Sequence, residues 1–143
     1  MSSDPKSAGW ALDTVLERDT RAVGNLTLCR VLLSRDANYP WLLLVPRRRG
    51  AVEIVDLDSG EQTQLMAEIA DVSRALKAVT ACDKLNVAAI GNVVAQLHVH
   101  VIARMRSDAA WPKPVWNAVP PQDYDETALG DLMNALRGRL ALT

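Results

Sequence analysis

The sequence predicts an α+β domain built on a mainly antiparallel sheet. Three observations carry this: two apolar, β-compatible runs separated by a turn-rich loop, a long helical stripe in mid-chain, and two further apolar runs spaced to pair as a hairpin. The 143 residues suit one domain, and a chain of this size buries roughly two-thirds of its unfolded surface, so it needs no metal or disulfide staple.

Taken in order, Leu12, Val15 and Leu16 at helical spacing predict a short helix over 10–19 that ends in Glu17-Arg18-Asp19. Leu26–Leu33 and Trp41–Val45 read as strands joined by the polar loop Ser34–Pro40. A short strand follows at Val52–Val55. Ser59, with Gln62 three residues on, has the pattern of a capping box and starts a helix. Leu65, Ile69, Val72, Leu76 and Val79 then give one apolar stripe that can cover a sheet. Strands near Leu85–Ile90 and Leu97–Ile102 are joined by the short connection Gly91–Gln96. Residues 104–123, with four prolines and two tryptophans, read as an irregular arm. A last helix over Glu126–Leu140, capped by Asp125, places Leu129, Leu132, Met133, Leu136 and Leu140 on one side. The whole chain, 1–143, is read as one domain with its core at about 10–104 and the arm and last helix over 105–143.

Composition excludes several functions. Hydrophobic residues at 49% and charged residues at 23% describe a chain that folds. A net charge of -1 argues against nucleic acid held mainly by counterion release, while a small anion needs only a local cluster of donors. Cys29 and Cys82 are too few and too far apart for a zinc finger or disulfide framework, so reduced thiols are expected. The polar start Met1–Lys6 is no secretory signal and no run is long enough to span a membrane, which together predict a cytoplasmic protein without membrane partners.

Both histidines of the chain fall in one predicted strand, Gln96-Leu97-His98-Val99-His100-Val101-Ile102. Strand period two sends His98, His100 and Gln96 to one face and Leu97, Val99 and Val101 to the other, which looks like core packing. A neutral imidazole carries a lone pair near neutral pH and leaves phosphorus readily once protonated, so the pair suits nucleophilic chemistry at phosphate. The second ring lies about 7 Å along the strand and can reach the same phosphate or the departing oxygen. Asn86, Gly91 and Asn92 offer small and amide positions where donors can approach an anion. A His-x-His pair is also read as a hydrogen-bonded structural pair or as two ligands of a metal site; no third histidine exists to close the latter. Arg47, Arg48 and Arg49 read as a solvated charge run, with phosphate binding the lesser alternative, and Trp10, Trp41, Trp111 and Trp116 as packing residues, with partner contact the second option.

The string Gln96–Ile102 resembles the histidine triad (HIT) motif, His-φ-His-φ-His-φ-φ with φ apolar, with Gln96 at the first histidine. Leu85-Asn86, Gly91-Asn92-Val93-Val94 and Arg104 resemble the flanking run in bacterial members. So do Cys29–Leu33, Asp36, Tyr39-Pro40-Trp41, Leu44–Arg47, Trp111-Pro112 and Pro114-Val115-Trp116. The resemblance points to the bacterial branch labelled diadenosine tetraphosphate hydrolase-like. It implies a five-stranded antiparallel sheet with a long central helix and a C-terminal helix, paired as a homodimer. It also implies hydrolysis of a nucleotide at its α-phosphate, the substrate being a dinucleoside polyphosphate or a related conjugate.

By the same resemblance His98 is the nucleophile that forms a nucleotidyl-histidine, and His100 binds the phosphate and helps the leaving group. Asn86, Asn92 and the Val94 backbone match phosphate-contacting positions, Asp36 matches the residue that holds the ribose hydroxyls, and strand residues around Leu28–Leu33 form part of the base pocket. No cofactor is implied; a divalent metal would come with the polyphosphate. Glutamine cannot carry a proton as imidazolium does, so Gln96 bears on leaving-group protonation and rate. The transferase branch differs, since there glutamine replaces the third histidine. Two other functions compatible with these residues are a non-catalytic nucleotide-binding protein of the same fold and a metal-binding β protein using His98 and His100.

Overall fold

The computed structural model describes residues 4–143, so the first three residues of the polar start lie outside it. The chain runs α1 (Thr14–Asp19), β1 (Thr20–Asn25), β2 (Cys29–Ser34), β3 (Trp41–Pro46), α2 (Ser59–Thr80), β4 (Lys84–Ala88), β5 (Val99–Arg104) and α3 (Glu126–Arg137). The strands form one antiparallel sheet in the order β1-β2-β3-β5-β4, the predicted architecture. No helix among the described residues is long and apolar enough to cross a membrane.

Both faces of the central strands are apolar, and each serves a different layer. Val31, Leu33, Leu42, Leu44, Val99, Val101 and Ala103 pack against Leu65, Val72 and Leu76 of α2 and Leu129, Met133 and Leu136 of α3. The last helix is therefore part of the main core, which extends beyond the expected 10–104. On the other face Leu32, Leu43 and Val45 meet Leu16 of α1 and Val94, with Trp10, Leu12, Val15 and Trp41 at the margin. This face, left free by the long helices, is where a site can form.

The structure revises several boundaries. The fifth strand is not Val52–Val55, which is exposed and holds only a short 3-10 turn at Ile54–Asp56. It is β1, continuous with α1 and paired to β2 with a register shift between Ala22 and Gly24. The capping box at α2 lies one residue earlier than predicted. Asp58 Oδ1 accepts from Glu61 N–H at 2.8 Å while Glu61 Oε1 accepts from Asp58 N–H at 2.9 Å, because a carboxylate pair satisfies the orphan donors and also suits the positive end of the helix dipole. Ala81, in the left-handed conformation at φ 51°, ends the helix. At α3, Asp125 accepts from the Ala128 N–H, as expected of its cap.

Of the three arginines, Arg49 is exposed as a solvated charge is, whereas Arg47 and Arg48 are held by the protein. Arg47 donates to the carbonyls of Leu26, Thr27 and Leu28, and Arg48 pairs with Asp4 and Glu61. Across the same turn, buried Glu68 accepts from the N–H groups of Leu28 and Cys29, each at 2.8 Å. Cys29 and Cys82 are free thiols, and burial beside Glu68 pushes the Cys29 thiol far up, so it stays protonated.

Candidate active site

The two imidazoles stand where β5 begins. His98 immediately precedes the strand and His100 is its second residue; both are buried, at 6% and 5% exposure. The predicted alternation holds here: Leu97, Val99 and Val101 enter the helix-side core while both rings turn to the opposite face. Their centroids lie 4.9 Å apart in an edge-to-face arrangement, closer than the strand repeat because the rings converge.

Hydrogen bonds fix the proton on each ring. His98 Nδ1 lies 2.7 Å from the Gln96 carbonyl, which can only accept, so Nδ1 carries the hydrogen and Nε2 keeps its lone pair. His100 has the other tautomer. The indole N–H of Trp41 donates to its Nδ1 at 3.0 Å, and its Nε2–H donates to the Ile90 carbonyl at 3.0 Å. Burial, opposed by the Ile90 hydrogen bond and assisted by the nearby His98, pulls His100 down to about 4, so it is neutral near pH 7. Trp116 stands edge-on to His100 with 5.1 Å between centroids.

A cavity of about 850 Å³ opens over these rings. Val15 and Leu16 of α1 and Leu43 of β3 make an apolar wall; Ile90–Val94 form one rim, and Val115–Asn117 with Pro121–Asp123 of the arm form another. Its charged lining is Asp19, Asp36 and Asp123 with Arg35. Gly91 is required where the rim passes His98, since a Cβ there would stand 2.7 Å from the Val94 carbonyl oxygen and 3.2 Å from His98 Cε1. A smaller cavity of about 380 Å³, bounded by Asp71, Arg74 and Arg139, contains no imidazole.

The predicted site residues divide. His98, His100, Asn92, Val94 and Asp36 line the cavity. Asp36 sits between β2 and β3 and is tied to the arm by a bridge to Asp123; its Oδ1 accepts from Asn38 N–H, Asn38 Nδ2 and Gln122 N–H. Asn86 is not among the lining residues. It lies on β4 opposite Ile102, and its Oδ1 accepts from Arg104 at 2.7 Å under the arm. Gln96 is absent from the lining as well, because its amide faces the N-terminal segment: Oε1 accepts from Asp13 N–H and Nε2 donates to the Ala11 carbonyl, both at 2.8 Å. Of the expected base-pocket strand, Val31 and Leu33 face the helices, and the apolar wall comes from α1 and Leu43 instead. Trp41 and Trp116, read as packing residues, belong to the site. Their proximity to His100 depends on contacts 59 and 16 residues distant, and the signal in the sequence was their place in the segments Tyr39-Pro40-Trp41 and Pro114-Val115-Trp116 that carry the family resemblance.

Among the described residues no three His, Cys, Asp or Glu side chains converge as a metal-ligand set. Three of the four ring nitrogens already hold hydrogen bonds, which leaves the pair a poor chelate as it stands.

A five-stranded antiparallel sheet with paired imidazoles at the start of its fourth-ranked strand, facing a nucleotide-sized cavity, defines the histidine-triad class. The chain belongs to the HIT domain family, a nucleotide-binding and hydrolase fold: the model of the HIT domain matches residues 15–107. A histidine triad protein from Bradyrhizobium japonicum is 58% identical, with a TM-score of 0.90 over 91% of this chain and 97% of that one. One from Sinorhizobium meliloti is 38% identical, TM-score 0.91, over 94% and 99%. One from Marinobacter aquaeolei is 40% identical, TM-score 0.88, over 92% and 96%. No curated protein matches the sequence.

Proposed function

We propose that this protein hydrolyses nucleotide conjugates at the α-phosphate through a nucleotidyl intermediate on His98. The observation that carries the reading is the His98 tautomer: a cavity-lining imidazole whose Nδ1–H is held by a carbonyl has its Nε2 lone pair ready for attack. In the first step Nε2 forms a bond to phosphorus and the bond to the leaving oxygen breaks, that oxygen taking the electron pair. The imidazolium so formed is stabilised by the Gln96 carbonyl. In the second step water attacks phosphorus and releases one proton to bulk solvent, the N–P bond breaks with its electron pair returning to Nε2, and the nucleoside monophosphate departs with neutral His98 restored.

The remaining roles follow from position. Val15, Leu16 and Leu43 offer the base an apolar wall, Asp36 is placed to accept ribose hydroxyls, and Asn92 with the Val94 backbone borders the phosphate. His100, neutral, serves as a hydrogen-bond donor through Nε2–H once the Ile90 carbonyl yields to a phosphoryl oxygen. It is too weak a base to carry a proton at neutral pH, so the chemistry favours leaving groups that depart without one, such as the phosphate of a dinucleoside polyphosphate. A divalent metal accompanying that polyphosphate would offset Asp19, Asp36 and Asp123. Two copies are proposed to pair along β4, an edge strand with Val87 half-exposed and Val93 exposed beyond it.

The test is diadenosine tetraphosphate turnover with adduct trapping by mass spectrometry. His98→Ala is expected to lose both the adduct and activity, the latter by roughly 10³-fold or more; full activity in that variant would sink the mechanism. A second reading, a nucleotide-binding protein without turnover, draws on the engagement of both His100 nitrogens. Tight AMP binding by wild type, with no product and no adduct, would favour it.

A further inference from the structure

We infer that Gln96 is a positioning residue that clamps the N-terminal segment Ala11–Asp13 to the chain entering β5, so that one residue sets both the His98 tautomer and the apolar wall of the cavity. The inference rests on the nucleotide-site reading above but concerns a residue that lies outside the cavity.

Gln96 acts in two directions. Its backbone carbonyl accepts the His98 Nδ1–H at 2.7 Å, which is the bond that keeps Nε2 free. Its side chain takes two backbone groups of one short segment, accepting from Asp13 N–H and donating to the Ala11 carbonyl, each at 2.8 Å. A primary amide suits this because its oxygen and nitrogen project side by side, one an acceptor and one a donor. Asp13 is the N-cap of α1, with Oδ1 accepting from Val15 N–H at 2.8 Å. Moving Asp13 therefore moves the start of the helix whose Val15, Leu16 and Asp19 line the cavity. On the opposite side of the chain, Leu97 N–H donates to the Ala51 carbonyl at 3.0 Å and its side chain is buried in the helix-side core. The chain between the wall and the imidazole is thus pinned from both sides, and among the described residues the Gln96 amide is what hydrogen-bonds it to α1's cap.

An imidazole at position 96 would also carry one donor and one acceptor, but its two nitrogens point apart and cannot serve Ala11 and Asp13 together. Gln96→His is therefore expected to open the clamp and not to speed turnover by adding a proton carrier.

The decisive variant is Gln96→Glu. A neutral carboxyl reproduces the amide's donor and acceptor; once ionised it has only acceptors and turns one against the Ala11 carbonyl. Two readouts apply. The chain has only two histidines, so nitrogen-15 spectra at about pH 8 resolve His98 by comparison with His98→Ala. Wild type should show the single Nδ1–H form, and Gln96→Glu a mixture of tautomers. AMP affinity at about pH 8, where the carboxyl is ionised, should fall by about tenfold relative to wild type, as expected for the lost hydrogen bond to Ala11 and the carboxylate set against that carbonyl. A Gln96→Glu protein that keeps one His98 tautomer at that pH, with AMP affinity within about twofold of wild type, overturns the inference. A merely structural role would lower the melting temperature and leave the tautomer unchanged, which also overturns it. Wild type that binds AMP but gives no product or adduct would fail the hydrolase reading alone, since both readouts here are independent of turnover.

Discussion

One face of β5 has two unlike ends. His98 and His100 begin it beneath a cavity, whereas Ile102 and Arg104 end it beneath the arm, fully buried at 0% and 1% exposure. All four sit at alternate positions and obey the same strand period, so the period alone does not separate a site from a seal. What separates them is the satisfaction of polar groups. Arg104 is matched on every side: Asp108 takes Nε and Nη2, Asn86 takes Nη1, the Lys113 carbonyl takes Nη2, and the Tyr39 and Trp111 rings lie 5.7 and 5.5 Å from its guanidinium. At the other end one ring nitrogen, His98 Nε2, has no protein partner among the described residues. The unmatched group marks the site, and the matched ones mark the seal.

The largest effect should come from breaking the seal. The Asp108 side chain is only 5% exposed and also accepts from the N–H groups of Met105, Ala110 and Trp111, so Asp108→Ala strands a buried guanidinium and unties the arm. A loss of about 3–5 kcal/mol in urea unfolding is expected. His98→Ala, which removes a ring bordering empty space, should lose far less by the same measurement. Equal losses would mean that the two ends are not distinct in the way described.

Acid should act on the open end first. The His100 value of about 4 lies below the ordinary 6.5, so between these values the unfolded chain holds the extra proton and the folded one does not. Stability from this residue is complete above about pH 6.5 and falls as pH drops toward 4, by on the order of 3 kcal/mol. Asp108 shifts in the same direction over a lower window: burial would raise its carboxyl, but Arg104 and the arm's N–H groups outweigh that and hold it below the usual range, so its contribution is lost only at lower pH. Urea midpoints at about pH 7 and 4.5 should therefore differ in wild type and converge in His100→Gln. A slope that persists in that variant would place the titration elsewhere.

Much of this was legible in the sequence where local pattern and burial agree. The α2 stripe of Leu65, Val72 and Leu76, the Asp125 cap and the alternation around His98 and His100 needed no distant partner. β1 was missed because Thr20–Asn25 is an edge strand with Arg21 and Ala22 exposed and a register shift, so it offers no clean alternation. Val52–Val55 has strand composition but no neighbour to pair with, and composition alone does not form a strand. Within the site, the identity of the face was readable and the partners were not. Motif position put Asn86 at the phosphate and Gln96 beside the two histidines, yet Gln96 binds a segment 83–85 residues away and Asn86 binds Arg104 in the seal.

A smaller perturbation tests how tightly the open end is shaped. Gly91→Ala sets a Cβ against the Val94 carbonyl oxygen and His98 Cε1, and the carbonyl is backbone that cannot swing aside. The rim must shift, which should weaken AMP binding by about tenfold and lower stability by about 1–2 kcal/mol, as overpacking does. Unchanged binding in calorimetry would show that the rim is free to move and does not hold the phosphate.

The smallest expected change separates the two reasons His100 is neutral. Trp41 N–H donates to His100 Nδ1, a bond only the deprotonated nitrogen can accept, so it favours the neutral ring in addition to burial. Trp41→Phe keeps an aromatic ring and removes that donor, at a net loss of about 1 kcal/mol in stability. Nδ1 is then free to take a proton while Nε2–H remains on the Ile90 carbonyl. The His100 midpoint in an NMR titration should therefore rise from about 4 toward, without reaching, the ordinary value, because burial persists. A midpoint that stays at its original position would assign the neutrality of His100 to burial alone, and the open end would then differ from the sealed one in its desolvation and not in its hydrogen bonds.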